Sequence, residues 1–246
     1  GLICFADKHM RSILKVTAFL AAVVVGPAAA AAGLSGAIDR SVPSVPELAT
    51  SAVAPVPGLS AAPVTARTFT PVVTAGEYAR RAPVQLKSRS ALVVRADNGE
   101  VLYRKNIDRD MPIASITKLM TAMVVLDAGV PLDEEVTVGA EDVDRLKNTH
   151  SRLAVGTRLS RADLLLLALM ASENRAASAL AGSYPGGRRA AVVAMNRKAA
   201  ELGMTHSHFV DGTGLSSDNR ASPVDLVRLV KAAEGYDVIR HYSTTA

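Results

Sequence analysis

The sequence has little of what several protein classes require. Its 246 residues contain a single cysteine, Cys4, so no disulfide can form within the chain. It has no tryptophan, four phenylalanines and five tyrosines, and its net charge of +5 is spread along the chain rather than clustered. A nucleic-acid-binding surface needs a basic stripe with aromatic side chains for stacking, so we predict no nucleic-acid partner. The mild positive charge suits at most a loose association with a membrane or an anionic cell wall.

Long apolar runs are also missing, apart from a short one near the N-terminus. The run Val16–Val25 is preceded by three lysine or arginine residues and followed by the alanine string Ala28–Ala32. It is too short to span a bilayer, and this arrangement is typical of a secretory signal peptide. We therefore predict that residues 1–32 are upstream residues plus a signal peptide, cleaved near residues 30–32. The mature protein is then periplasmic or otherwise extracytoplasmic.

The remainder of the chain divides into a linker and one domain. Residues 33–82 are rich in proline, alanine, valine, serine and threonine and lack a helical or strand period, which indicates an extended linker. Residues 83–246 have the charged residues and the periodic apolar pattern of a folded domain. The apolar fraction of the whole chain, 49%, is ample for a sizeable core. Strands come first and helices follow without βαβ alternation, which predicts an α+β fold.

A β-hairpin opens this domain. Ser90–Ala96 alternates into the turn Asp97–Gly99, and Glu100–Arg104 returns. Two strands are not stable alone in water, so further strands or helices must cover them. Four helices follow in the pattern: Ile113–Ala128, a buried run Leu164–Met170 opened by the capping box Ser160–Asp163, Gly187–Leu202, and a helix capped by Ser222 that reaches Glu234.

Ser115 and Lys118 are the first candidate catalytic residues. They lie three positions apart at the start of a predicted helix, so both side chains share one face. A serine hydroxyl is a poor nucleophile until a base takes its proton, and a lysine kept neutral by burial can serve as that base. The spacing alone is a weak signal, because Ser12 and Lys15 repeat it inside the predicted signal peptide.

A second hydroxyl could pass protons between such a lysine and a leaving amine, usually in a Ser-x-Asn triplet. Ser172-Glu173-Asn174 follows the buried helix, where rigid support favours a precise geometry. Ser217-Asp218-Asn219 is the alternative, although it lies in a loop whose composition is typical of turns. We prefer Ser172 and expect it to converge with Ser115 and Lys118.

Long stretches around these motifs resemble the low-molecular-mass penicillin-binding proteins, the serine D-alanyl-D-alanine carboxypeptidase and endopeptidase family. The resemblance extends from about Ser90 to Ala246, and Tyr184–Gly187 with Ala194–Asn196 look most like the endopeptidase branch. The stretches that carry it are Pro112–Asp127, Leu164–Ala177 and Gly203–Leu215.

The resemblance implies the fold of serine β-lactamases and penicillin-binding proteins, an antiparallel sheet packed against an all-helical lobe. It also implies that Ser115 is the acylated nucleophile and Lys118 its base, with Ser172 and Asn174 as the second catalytic element. The implied substrates are peptidoglycan peptides, with β-lactam antibiotics as covalent inhibitors and no cofactor. Carboxypeptidase and endopeptidase preference stay open.

One family motif is missing from the sequence. Members carry a Lys-Thr-Gly triplet on a later strand, and this chain has none; Gly212–Gly214 lacks the lysine. We expect the triplet about 60 to 70 residues beyond Ala246, and we expect the 246-residue chain alone to be acylated weakly, if at all. Two other functions remain open: a serine β-lactamase, which would share the nucleophile and the lysine, and a non-catalytic wall-binding scaffold, which the missing triplet favours. His206 and His208 could bind a metal, but no convincing third ligand accompanies them, so we predict no metal site.

Overall fold

The computed structural model describes residues 2–6 and 86–244; the rest of the predicted signal peptide and the predicted linker lie outside these residues. The strands are β1 (Leu2–Ala6), β2 (Ala91–Arg95), β3 (Val101–Lys105), β4 (Met111–Pro112), β5 (Glu135–Thr137), β6 (Arg158–Ser160) and β7 (Arg220–Ala221). The helices are α1 (Thr117–Asp127), α2 (Arg161–Met170), α3 (Asn174–Gly182), α4 (Gly187–Glu201), α5 (Pro223–Ala233) and α6 (Asp237–Thr244), with short 3-10 turns at Ala114–Ile116 and Ala140–Asp142.

The predicted hairpin is confirmed as β2 and β3. The strands pair antiparallel from Ala91↔Lys105, with a register shift between Val93 and Val94, and Gly99 takes a positive φ of 75° in the turn. The other edge of β2 pairs with β1. From the sequence, Leu2–Ala6 belong to the predicted upstream residues, for which the pattern indicates no element. A bare edge of β2 presents unpaired N–H and C=O groups, and a short apolar segment satisfies them by pairing.

The helical lobe is built around α1, which contacts α2 to α6. Its apolar positions are buried against neighbouring helices, with Met120 and Met123 fully inaccessible to solvent. Helix α5 joins the lobe to the hairpin, because Val227 packs with Leu92 and Val94 in a second apolar cluster. This arrangement confirms the predicted α+β class. No helix within residues 2–6 and 86–244 is long and apolar enough to cross a membrane.

The two-stranded sheet of β4 and β7 fixes the chain just before Ser115. Met111 pairs with Ala221 and Pro112 with Arg220, and the Ile113 N–H donates to the Asn219 carbonyl at 3.0 Å. Two segments far apart in sequence thereby meet at the start of α1. This sheet cannot be predicted from the sequence, because a strand of two residues is too short to show an alternating pattern.

Ser160 caps the start of α2, as the sequence predicts, but the Asp163 carboxylate accepts from the Ser160 hydroxyl rather than from the Ser160 backbone N–H that a full capping box uses. This cap allows a stability test. The Ser160 hydroxyl accepts from the Asp163 N–H at 3.0 Å and donates to the Asp163 carboxylate at 2.6 Å. Ser160→Ala leaves that N–H without its cap, so we expect it to lower the free energy of unfolding by about 1 kcal/mol. Urea denaturation measures the change, with the exposed Ser217→Ala as control. Equal stability of both variants would contradict the cap's contribution.

Candidate active site

Ser115 lies in a tight turn, not in the regular helix that the sequence predicts from Ile113. Residues 114–116 form a 3-10 turn and α1 begins at Thr117. Ala114 has a positive φ of 47°, a conformation that residues other than glycine rarely adopt. The start of the predicted helix is therefore wrong, although its position and end are right. The turn leaves Ser115 partly exposed at the head of α1.

Lys118 brings three segments of the chain together at its amine. The side chain sits on α1 and is only 3% exposed. Its Nζ donates to Ser115 Oγ at 3.0 Å, to Asn174 Oδ1 at 2.8 Å and to the Thr213 carbonyl at 2.8 Å. The predicted pairing of Ser115 with Lys118 is thus present, and Asn174 joins it.

This set of partners decides what the amine can do when it loses a proton. An ammonium has three N–H donors, and all three have acceptors here. A neutral amine keeps two donors and gains one lone pair. Asn174 Oδ1 and the Thr213 carbonyl can only accept, so they take the two remaining donors. The lone pair is then left to the hydroxyl of Ser115, the one partner that can donate a proton.

Burial also makes the neutral amine accessible near physiological pH. Loss of solvent lowers the pKa of Lys118 to about 8, against the opposing attraction of the Asp211 and Glu173 carboxylates. The nearby charge of Lys147 lowers the pKa further. A lysine in water has a pKa of about 10.4. The site therefore holds an amine that can act as a base where an ordinary lysine cannot.

The turn between α2 and α3 carries the predicted Ser-x-Asn triplet. Ser172 has a positive φ of 54°, which ends α2, and the Glu173 carboxylate caps α3 by accepting from the Ala176 N–H at 2.7 Å. Asn174, the first residue of α3, then faces Lys118. Within the described chain no hydrogen bond joins Ser172 Oγ to the Lys118 amine, so the proposed role of Ser172 stays a prediction.

The loop 211–216 contributes a contact that the sequence analysis missed. The Asp211 carboxylate accepts from the N–H and the hydroxyl of Thr213, at 2.6 and 2.7 Å, and from the N–H of Gly214 and Ser216. Although burial opposes ionisation, these hydrogen bonds hold the pKa of Asp211 below its ordinary value. The folded loop directs the Thr213 carbonyl at Lys118. The only signal in the sequence is the Asp-Gly-Thr-Gly turn, which we interpreted as an ordinary loop.

Gly214 lets this loop touch the backbone beside the serine. It has a φ of +82°, and a Cβ at this position would lie 1.8 Å from the Ala114 carbonyl oxygen and 3.0 Å from the Ser115 nitrogen. No side chain fits there. The contact locks the loop and the 3-10 turn together.

The alternative triplet at 217–219 supports the loop and does not enter the site. Asn219 is fully buried, and its side-chain oxygen accepts from the backbone N–H of Val210 and Asp211 at 2.8 and 3.2 Å. Ser217 is exposed and makes no hydrogen bond to Lys118. The structure thus favours the turn interpretation of this triplet.

The two histidines that raised a metal hypothesis belong to the backbone framework. The His206 N–H donates to the buried Asp225 carboxylate, and His208 pairs with Arg220 through backbone hydrogen bonds. Among the residues that the structure describes, no group of three or more His, Cys, Asp or Glu side chains is placed to hold a metal ion.

The chain is similar in sequence to a known protein family and to several of its characterised members. The sequence profile of a family described as D-alanyl-D-alanine carboxypeptidase matches residues 77–246. The D-alanyl-D-alanine endopeptidases of Pseudomonas aeruginosa and Escherichia coli are 51% and 48% identical to the chain over 161 residues, 65% of its length. The matched part is 52% of each of those proteins, so the chain spans about half the length of these relatives.

Solved structures give the same picture of the fold. A mutant of a Streptomyces DD-transpeptidase superposes with a TM-score of 0.57 at 30% identity, over 63% of this chain and 64% of that one. A D-alanyl-D-alanine carboxypeptidase of Mycobacterium tuberculosis superposes with a TM-score of 0.54 at 29% identity, over 63% and 58%.

Proposed function

Since this chain belongs to the D-alanyl-D-alanine carboxypeptidase family, we propose that the protein is a serine DD-peptidase that cleaves D-alanyl bonds of peptidoglycan through an acyl-enzyme on Ser115. The observation that carries the proposal is the buried Lys118 amine, whose partners leave its lone pair to the Ser115 hydroxyl. Peptidoglycan lies outside the cytoplasm, and the predicted signal peptide supports the same location for this protein.

The reaction follows from the protons that the site can move. Neutral Lys118 takes the hydroxyl proton as Ser115 Oγ attacks the carbonyl carbon of the D-alanyl bond. In this scheme the negative charge that develops on the carbonyl oxygen is stabilised by the backbone N–H of Ser115 itself, in the turn that precedes α1. The proton then passes to the leaving amine. The C–N bond breaks, the amine departs, and the acyl-enzyme remains on Ser115. Water hydrolyses the ester and restores the serine. In this scheme Ser172 passes the proton and Asn174 holds the amine.

Labelling of the full-length gene product tests the nucleophile. A fluorescent penicillin presents a strained amide to the same hydroxyl, so we expect a covalent adduct on the peptide that contains Ser115. Peptide mass mapping locates it. A persistent adduct supports a DD-peptidase, whereas rapid release of the label would favour a β-lactamase. Absence of any adduct would favour a non-catalytic scaffold.

We propose cleavage of cross-links, an endopeptidase activity, as the main reaction. The two endopeptidase relatives are 51% and 48% identical, whereas a Bacillus subtilis carboxypeptidase is 28% identical. Purified cross-linked muropeptides and uncross-linked pentapeptides separate the alternatives by chromatography of the products. Preferential release of D-alanine from the pentapeptides would assign the protein to the carboxypeptidases.

The pH dependence of labelling should report Lys118. The amine must be neutral to accept the hydroxyl proton, and its pKa of about 8 leaves most of it protonated at pH 6. We therefore expect the rate to rise about tenfold per pH unit below the pKa and to level off above it. Labelling reactions stopped at fixed times, at pH values between 6 and 10, measure how the rate depends on pH. A rate that is flat across this range would contradict the role of Lys118 as base.

A further inference from the structure

A buried carboxylate anchors the loop that lies beside Asn174. Asp144 is 7% exposed, and it accepts from the backbone N–H of Leu146, Lys147 and Thr149 at 2.8 to 3.0 Å. The Thr149 hydroxyl also donates to it, at 2.7 Å. Burial opposes ionisation of Asp144, but the hydrogen bonds from Lys147 and Thr149 lower its pKa to about 2. Asp144 is therefore ionised at neutral pH and acts only as an acceptor.

This anchor fixes the direction of the hydrogen bonds that lead from Asp144 through Thr149 and Asn174 to the lysine. The Thr149 proton points at Asp144, so the Thr149 oxygen has only lone pairs to offer on its other side. Asn174 Nδ2 donates to that oxygen at 3.0 Å. The opposite end of the amide, Oδ1, then faces Lys118 Nζ at 2.8 Å. The two ends of an amide have nearly the same shape, so hydrogen-bond partners decide which way it points.

The orientation matters because a reversed amide would compete with Ser115. An NH₂ group facing Lys118 would remove one acceptor from the ammonium, and it would donate to the lone pair of the neutral amine. That lone pair is the one the Ser115 hydroxyl needs. We propose that Thr149 is a positioning residue, which with Asp144 holds the Asn174 amide so that the lysine lone pair stays directed at Ser115. Its effect on acylation rests on the proposed function, whereas its effect on Lys118 does not.

The charges around Lys118 set the conditions for a test. The carboxylates of Asp211 and Glu173 face it from the loop 211–216 and from the turn before α3, and Lys147 approaches on the same loop as Thr149. A change of charge at any of them would alter the lysine directly. An uncharged substitution at Thr149 avoids this, and the three backbone N–H that bind Asp144 still hold the loop in place.

Thr149→Val and Thr149→Ser provide the experiment. Valine has the shape of threonine without the hydroxyl, whereas serine restores the hydroxyl. In the full-length gene product carrying ¹³Cε-labelled lysine, we expect Thr149→Val to move the titration of Lys118 to lower pH, because the ammonium loses an acceptor. The plateau of penicillin labelling should fall about tenfold, the effect of one lost hydrogen bond. Thr149→Ser should match the wild type in both measurements, as should Thr157→Val, a control at the far end of the loop.

The two measurements separate this inference from the proposed function. An unchanged Lys118 titration in Thr149→Val, or Thr149→Ser behaving like the valine variant, would overturn the positioning role even if Ser115 is acylated. A shifted titration in a protein that forms no adduct would support the positioning role and overturn the proposed function. Thermal unfolding of each variant confirms that the loop remains folded.

Discussion

Ser115→Ala should abolish covalent labelling of the full-length protein by a fluorescent penicillin. Ser115 Oγ is the only hydroxyl within the described residues that hydrogen-bonds to the Lys118 amine, so no second serine is activated in its place. Removal of an activated nucleophile commonly costs several orders of magnitude, and we expect at least a 1,000-fold loss. Gel fluorescence over a time course measures it.

A second serine variant controls for general damage. Ser217 begins the alternative triplet and is exposed, so Ser217→Ala should label within about twofold of the wild type. Labelling that survives Ser115→Ala would rule out the proposed nucleophile. Loss of labelling in Ser217→Ala would contradict the preference for Ser172 over Ser217 as the second catalytic serine.

Gly214→Ala should disable the site while leaving most of the fold intact. The added Cβ would lie 1.8 Å from the Ala114 carbonyl oxygen, so the loop 211–216 must move away from the serine turn. The Thr213 carbonyl moves with it and no longer holds Lys118. A displacement of about 1 Å in an active site can cost about 100-fold, and we expect a loss of labelling at least that large.

Gly203→Ala is the matched control for Gly214→Ala. Gly203 also has a positive φ, of 70°, but a Cβ there meets nothing within 4 Å. Gly203→Ala should lose about 1 to 2 kcal/mol of stability to backbone strain, measured by urea denaturation. Gly214→Ala should lose more, because its Cβ also meets the Ala114 backbone. Only Gly214→Ala should lose labelling. Equal labelling of the two variants would show that the close approach to Ala114 does not matter for the site.

The features that the sequence predicts well are those with a local physical cause. Alternation of apolar residues around a turn with Gly99 predicts the β2–β3 hairpin, and Ser160 with Asp163 predicts the start of α2. Ser115 and Lys118 still lie on one face and form a hydrogen bond, although a 3-10 turn replaces the first part of the expected helix. Positions three apart share a face in both kinds of helix.

The features that escaped prediction depend on atoms or partners that the sequence does not mark. The Thr213 contact uses a backbone carbonyl, which every residue possesses, so no residue type indicates it. Thr149 acts only because the Asp144 loop folds beside α3. Strand β1 pairs with the free edge of β2, and that edge exists only after the β2–β3 hairpin has formed. Each of these features depends on contacts between segments that are distant in sequence, which no local pattern of residues indicates.

The long sequence separations within the site determine when its chemistry can appear during folding. Lys118 finds its partners Asn174 and Thr213 at 56 and 95 residues further along the chain. Contacts at such distances form late, because the entropy of closing a long loop must be overcome before they are made. Until then the amine is hydrated and protonated at neutral pH, and Ser115 is an ordinary serine. In the proposed mechanism, therefore, Ser115 is unreactive while the chain is being synthesised, and acyl-transfer reactivity arises only as the lobe completes its folding.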